Sequence, residues 1–213
     1  MNVFLLKELE DQRLITLGRG YVISKNEMLA IPGDYPVYSS SATGDGEFGR
    51  YGKYMFDDER ITWSIDGGGK PFHRKNLKYS VTNVGGWIKV NNPNLLETKY
   101  LYYSLLWQWV NLVFDYTFKA HPSVIRNLYK IKLVPIKEQK YIVATLDKIN
   151  ELIDANKRQL ELLDEAVKAR FGEMFGDSFN SFGWPLHELE SVVQINKCKS
   201  IPTLDSNERA WLL

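Results

Sequence analysis

Between Lys137 and Phe175 the apolar residues fall at Ile142, Leu146, Ile149, Ile153, Leu160, Leu163 and Val167. The steps alternate four and three, the spacing of a heptad whose a and d positions form one narrow stripe along a helix. Asn156 takes the polar place in that stripe, where a buried Asn costs stability and fixes register. The other faces carry Lys140, Asp147, Lys148, Glu151, Asp154, Lys157, Arg158, Glu161, Asp164 and Lys168, a solvated surface with i,i+4 pairs such as Asp164–Lys168. Pro135 stands before the first turn, and Gly176 where a C′ glycine belongs. Such a helix is about 58 Å long at 1.5 Å per residue. Ordinary globular helices stop near about 20 residues. The stretch therefore predicts a spacer or dimerisation arm carrying something at each end; a long helix packed within its own domain is the alternative.

The rest of the chain must supply what the arm carries. Of 213 residues, 44% are hydrophobic and 13% aromatic, enough for one core and an extension. The single cysteine, Cys198, excludes an internal disulfide and suits a reducing compartment. Residues 1–10 lack the apolar core of a signal peptide, and no run approaches a membrane span. A soluble, cytoplasmic protein without a membrane partner is expected.

The net charge of +1 conceals an asymmetry. Residues 1–66 hold seven Lys/Arg against eleven Asp/Glu, whereas residues 67–134 hold ten against two. From Gly67 to Leu96 there are five basic residues and no acid. A near-neutral protein with one concentrated basic half has the electrostatic pattern of a polyanion binder.

In chain order, residues 1–31 predict a short helix or strand, then a turn at Gly18-Arg19-Gly20. Tyr35-Pro-Val-Tyr enters a loop of small polar residues that continues through Gly44 to Gly52. Arg60-Ile-Thr-Trp-Ser-Ile is a strand stopped by Asp66-Gly-Gly-Gly. Tyr79-Ser-Val-Thr and Trp87-Ile-Lys-Val are further strands. Thr98 caps a helix through about Val113, with Tyr102, Leu105, Leu106 and Trp109 on one face. Lys119 to Asn127 is expected as a basic, Pro-containing loop, and Ile131-Lys-Leu-Val as the last strand. The fold class is α+β: a mixed α/β domain over 1–134, then a long coiled-coil-forming helix over 135–176. Beyond it, Leu186-His-Glu-Leu-Glu echoes Leu6-Lys-Glu-Leu-Glu at an offset of 180, with Ile195 opposite Ile15. Residues 177–213 are expected to be a linker and the opening of a second, incomplete copy.

Three stretches together resemble the specificity subunits of type I restriction-modification enzymes. Ile131-Lys-Leu-Val-Pro-Ile-Lys-Glu-Gln leads into the heptads as that family's strand–Pro–Glu-Gln unit leads into its long helix. Tyr35-Pro-Val-Tyr-Ser-Ser and Ile61-Thr-Trp-Ser-Ile-Asp-Gly, with Thr82-Asn-Val, are similar to one type of target-recognition domain. Lys119-Ala-His-Pro-Ser-Val-Ile-Arg-Asn-Leu resembles the loop before its final strand. The resemblance implies recognition domains that each read half of a bipartite double-stranded DNA site. It also implies helices that dock methyltransferase subunits and, through them, a restriction subunit. With one complete domain, one helix and a stub, the chain departs from the family's two-domain plan. A half-sized subunit forming a homodimer and a truncated fragment both remain open.

DNA reading needs phosphate contacts for affinity and side-chain forks at base edges for specificity. The candidates are Ser39, Ser40 and Ser41; Lys70, His73, Arg74, Lys75 and Lys78; and Lys119, His121, Ser123 and Arg126. Arg74 and Arg126 have the fork that pairs with guanine. The helix-partner interface comprises Ile142, Leu146, Ile149, Ile153, Asn156, Leu160, Leu163 and Val167.

No catalytic set emerges. Gly44-Asp-Gly-Glu-Phe-Gly matches G-x-G-x-x-G but lacks the buried strand before it and the helix after it. Asn92-Pro-Asn lacks the second proline and aromatic of an amino-methyltransferase motif. His73, His121 and His187 lie far apart, and Cys198 has no neighbouring ligand, so neither a metal nor a cofactor is expected. The rivals to a non-catalytic DNA reader are a coiled-coil scaffold and an enzyme with a loop-built site. An apolar, uncharged face on the first domain favours the scaffold; a cluster of perturbed carboxylates or histidines in one pocket favours the enzyme.

Overall fold

The computed structural model describes residues 2–40, 44–75, 77–112 and 119–176, with residues 183, 185, 187, 188, 191 and 193 beyond. Ser41 lies outside the described residues, as does nearly all of the expected second copy.

Strand β1 (Asn2–Leu5) runs into α1 (Leu6–Asp11), followed by β2 (Ile15–Arg19) and α2 (Lys25–Ala30). Strands β3 (Tyr35–Tyr38), β4 (Glu47–Tyr51), β5 (Arg60–Ser64), β6 (Pro71–Arg74), β7 (Ser80–Val81) and β8 (Gly85–Val90) come next. Then follow α3 (Thr98–Val110), α4 (Pro122–Leu128), β9 (Lys130–Leu133) and α5 (Ile136–Phe175). The expected α+β domain followed by a long helix is what the chain forms.

Among the described residues three sheets build the domain. An antiparallel sheet runs β2-β8-β5-β6, and a smaller one β4-β3-β7. In the third, β1 pairs with β9 from Asn2↔Leu133 to Leu5↔Lys130, so the start of the chain closes onto the strand leading into α5. The central strand β5 is buried along its whole length. Around it Leu6, Leu9, Ile15, Ile61, Ile88, Leu101, Ile125 and Ile131 form the main core.

At five places the local structure differs from the sequence expectation or fills in what it left open. Gly18 is not in a turn: β2 continues through it because Trp87, its partner on β8, lies across the strand, and a Cβ there would come within 2.4 Å of the indole. The Gly44–Gly52 loop contains β4, held by its pairing with β3. Pro71–Arg74 is a strand at the sheet edge, where the missing proline N–H does no harm. Lys119–Asn127 contains α4, with Pro122 at its first turn and the His121 Nδ1 accepting the Ser123 N–H at 3.3 Å. In α3 the cap is Glu97, without a side-chain bond, and the buried side chains are Thr98, Tyr100, Leu101 and Leu105 rather than the stripe ending at Trp109.

Contacts divide the chain into two compact units, Met1–Asp154 and Ala155–Leu213. The first extends past residue 134 because the opening turns of α5 join its core. Gln139 is fully buried there. Its Oε1 accepts the Glu97 N–H at 2.9 Å, and its Nε2 donates to the carbonyls of Leu95 and Val134 at 2.9 and 2.7 Å. Ile142 and Val143 pack against the main cluster. Further along, Asp147 accepts bonds from Lys99 Nζ at 2.6 Å and the Tyr103 hydroxyl at 2.5 Å. The heptad stripe then emerges: Ile153 is 44% exposed, Leu160 63% and Val167 68%. Among the described residues no helix is long and apolar enough to cross a membrane.

Candidate nucleic-acid interface

The basic candidates separate into those the fold consumes and those it leaves outside. Arg74, on β6, is only 7% exposed. Its guanidinium stacks on Tyr38 at 3.4 Å and Phe72 at 4.8 Å from the ring centroids. Its Nε donates to Thr62 Oγ1 at 2.9 Å and its Nη2 to the Asp45 carbonyl at 2.5 Å. Burial lowers the Arg74 pKa from the ordinary guanidinium value and raises that of the Tyr38 phenol beneath it. His73 faces Glu59 at 2.5 Å and lies beside Tyr102. Its hydrogen bond is the main cause holding the Glu59 carboxyl below its usual range, against the upward push of burial. Arg126 binds Glu10 through two nitrogens. Ser39 Oγ is 2.8 Å from Thr82 Oγ1. His121 and Ser123 bond to each other at the start of α4.

The other candidates face outward or are half-buried. Lys75 and Lys78 are exposed. Lys119 reaches Asp66 at 3.0 Å in a pair exposed enough to contribute little. Lys70 is half-buried, with Nζ 5.3 Å from the Phe72 centroid. Ser40 is exposed, and its carbonyl accepts from Ser64 Oγ at 2.9 Å.

One open cleft of about 520 Å³ gathers residues that sequence reasoning did not place together. Tyr35, Pro36 and Tyr38 of β3, Arg50 and Glu47 of β4, and Asp34, Leu77 and Lys78 line it. Lys78 Nζ lies 4.8 Å from the Tyr54 centroid and 5.9 Å from that of Tyr35, while the two rings meet edge-on at 5.1 Å. Arg50 is bonded to Glu47 Oε1 and to the Asp34 carbonyl, both at 3.1 Å, yet its side chain stays 57% exposed. Two cations beside two aromatic rings can hold phosphate and stack on a base or sugar. The topology makes this cleft: β3 pairs with β4 on one side and, in parallel, with β7 on the other. That brings the basic stretch before β7 against a strand from the acidic third of the sequence. Charge counted along the chain misses Arg50 for this reason. The alternation of Tyr35-Pro-Val-Tyr was the available signal.

Among the described residues no group of three or more His, Cys, Asp or Glu is arranged to hold a metal ion. A family model, that of the type I restriction modification DNA specificity domain, matches residues 6–165. The chain belongs to this family.

Curated members of the specificity-domain family are similar to it in sequence. A putative type I specificity subunit of Mycoplasma pneumoniae is 38% identical over 102 residues, covering 47% of this chain and 54% of that protein. Another from the same organism is 32% identical over 152 residues, covering 68% and 62%. The fold matches the crystal structure of a type I restriction-modification S subunit from M. genitalium, with a TM-score of 0.58 at 18% identity over 85% of this chain and 46% of that one. It also matches the HsdS subunit of Thermoanaerobacter tengcongensis, with a TM-score of 0.57 at 19% identity over 74% and 39%. The chain spans about half the length of the curated relatives it matches.

Proposed function

We propose that this chain is a sequence-specific DNA-recognition subunit of a type I restriction-modification system. Residues 1–134 read one half of a bipartite double-stranded site. Residues 135–176 join two copies and dock the methyltransferase subunits, through which the restriction subunit is recruited. Residues 177–213, by their echo of the first strand and helix, are a linker and the opening of a second recognition domain. The observation that carries this reading is the cleft lined by Tyr35, Arg50 and Lys78, with Tyr54 beside Tyr35 and Lys78, on a domain of the specificity family. Arg50, Lys75 and Lys78 serve as phosphate contacts, Tyr35 and Tyr54 as stacking surfaces, and Ser40 as a short donor at the same loop end. Lys70 and Lys119 extend the positive surface. Arg74, Arg126 and His73 hold the reading surface in shape.

Chemistry on the base falls to the methyltransferase partner, and this chain chooses where it acts. The test is a methylome from cells expressing the partner with this chain, repeated after residues 1–134 are exchanged for another recognition domain. The modified half-site should change with the exchange. An unchanged methylated sequence sinks the reading.

A further inference from the structure

The cleft beside β3 and β4 holds one residue that phosphate binding does not explain. Glu47 of β4 lines it, and a carboxylate there repels the backbone that Arg50 and Lys78 attract. Regular strand geometry does not bring Glu47 to that place. Side chains alternate along a strand, so residues 47 and 50 should point to opposite faces. They meet instead, Arg50 Nε donating to Glu47 Oε1 at 3.1 Å. The cause is a bulge. Pro36, Val37 and Tyr38 of β3 pair with Arg50, Gly49 and Glu47, so Phe48 is the extra residue on β4. One inserted residue moves Glu47 onto the face that Arg50 and the cleft share. Just before it, the Asp45 carboxylate accepts the Glu47 N–H at 3.0 Å and fixes the turn into the strand.

The geometry points to Glu47 as a base-reading residue: its Oε2 accepts the N4 amino group of one cytosine of the half-site, in the major groove. This rests on the recognition reading proposed above and gives one residue of that site the task of selection. At base edges in the major groove only adenine and cytosine offer an amino donor; the O6 of guanine and the O4 of thymine are acceptors that a carboxylate rejects. Adenine places the acceptor N7 beside its amino group, and cytosine places no acceptor there. A single carboxylate oxygen therefore suits cytosine. Oε1 is taken by Arg50, whose Nη1 is held in turn by the Asp34 carbonyl at 3.1 Å, which leaves Oε2 without a partner among the described residues. The carboxylate is thus oriented before DNA arrives, so less ordering remains to oppose the contact. Arg50 keeps its place as a phosphate contact through Nη2, which has no partner among the described residues. The repulsion from Glu47 weakens binding to every sequence, and only a sequence that offers an amino group at this point restores it.

The test uses the full chain with its methyltransferase partner and compares methylomes of cells expressing the parent, Glu47→Ala or Glu47→Gln. Each variant should keep every position of the half-site but one, a C:G pair at which other bases become acceptable. In Glu47→Gln adenine should lead among them, because a carboxamide can accept from N6 and donate to N7 together. With the purified complex, fluorescence anisotropy compares a duplex of the parent's methylated sequence with the same duplex changed at that pair. The parent should prefer the first by about fivefold or more, and Glu47→Ala should lose that preference. A random-sequence duplex should bind Glu47→Gln more tightly than the parent, since a like charge is gone from the cleft. A half-site unchanged at every position in both variants overturns the assignment. Even relaxation of all positions, the mark of a disrupted β3–β4 pair, overturns it too, and so does relaxation confined to an A:T pair. These failures are distinct from failure of the recognition reading, in which exchanging residues 1–134 leaves the methylated sequence unchanged.

Discussion

Arg126 and Glu10, 116 positions apart in the chain, meet in a two-point ion pair: Nε to Oε2 at 2.5 Å and Nη2 to Oε1 at 3.1 Å. Glu10 also accepts the Leu17 N–H at 3.3 Å, so one carboxylate ties α1, β2 and α4 together. A guanidinium that looks from sequence like a guanine reader is a strut between helices.

Arg126→Ala should therefore act on stability. The pair is partly exposed, which places the loss toward the lower end for a charged hydrogen bond, about 1–2 kcal/mol. Urea denaturation measures it. The methylated sequence should stay the same; a changed sequence would return Arg126 to the reading surface.

Acid should unfold the domain through a small set of carboxylates. Burial pushes Glu10, Asp58 and Asp147 upward, but bonds from Arg126 and Leu17, from Arg60 and Lys89, and from Lys99 and Tyr103 outweigh it and leave each below its usual value. Glu59 is lowered chiefly by its bond to His73. A carboxyl lowered in the folded state contributes fully above its unfolded pKa, about 4 to 4.5, and that contribution is lost as pH falls through the lower folded value. Stability should thus hold steady at pH 6 and fall below about pH 4.5. In Asp147→Asn the fall should be shallower. An identical pH profile would mean that the α3–α5 clamp carries no net electrostatic stabilisation.

Two glycines should respond with opposite signs. A Cβ at Gly86 would lie 2.1 Å from the Trp63 ring, which is buried and pinned by its N–H to the Ala120 carbonyl at 2.6 Å. Gly86→Ala should lower stability by at least about 1–3 kcal/mol, since the ring has nowhere to move. A Cβ at Gly172, within α5, meets nothing within 4 Å. Gly172→Ala should raise helix stability by about 0.5–1 kcal/mol. Thermal melts of the two variants should move apart.

What could be read in advance follows the range of the interactions. The α5 helix was legible because its period depends only on residues three and four apart. β5 was legible because a run such as Ile61-Thr-Trp-Ser is apolar and β-prone by itself. Gly18 was misjudged because the reason for a glycine there is an indole 69 positions away. The fates of Arg74 and Arg126 depend on Tyr38 and Glu10, and nothing near them in sequence reports it. The candidate cleft was half legible: Lys78 stood out by charge, while Arg50 needed the β3–β4 pairing to bring it near.

DNA affinity should depend on the cleft and on salt. Each phosphate contact contributes about −0.9 to the slope of log affinity against log salt concentration. Replacing Arg50, Lys75 and Lys78 by Ala should flatten that slope by up to about three units without loss of fold. Arg74→Ala should instead destabilise the domain, because it empties a buried stack on Tyr38 and strands the Thr62 hydroxyl. A triple variant that binds duplex DNA with the parent's slope would move the DNA face elsewhere on the domain.

The arm should set the distance between half-sites. Two identical domains related by a two-fold axis read an interrupted palindrome, and the length of paired helix fixes the interruption. Deleting residues 154–160 removes one heptad, so Ile153 is followed at the proper spacing by Leu163 and the stripe stays in phase. The arm shortens by about 10.5 Å, the rise of about three base pairs. The half-sites also move about 100° around the duplex, given about 10.5 base pairs per turn, so modification should be weaker as well as displaced. With the methyltransferase partner present, the methylome should show the original half-sites separated by about three fewer base pairs. An unchanged spacing would mean that the helix joins the domains without measuring the DNA between them. Altered half-sites would mean that the arm itself takes part in reading.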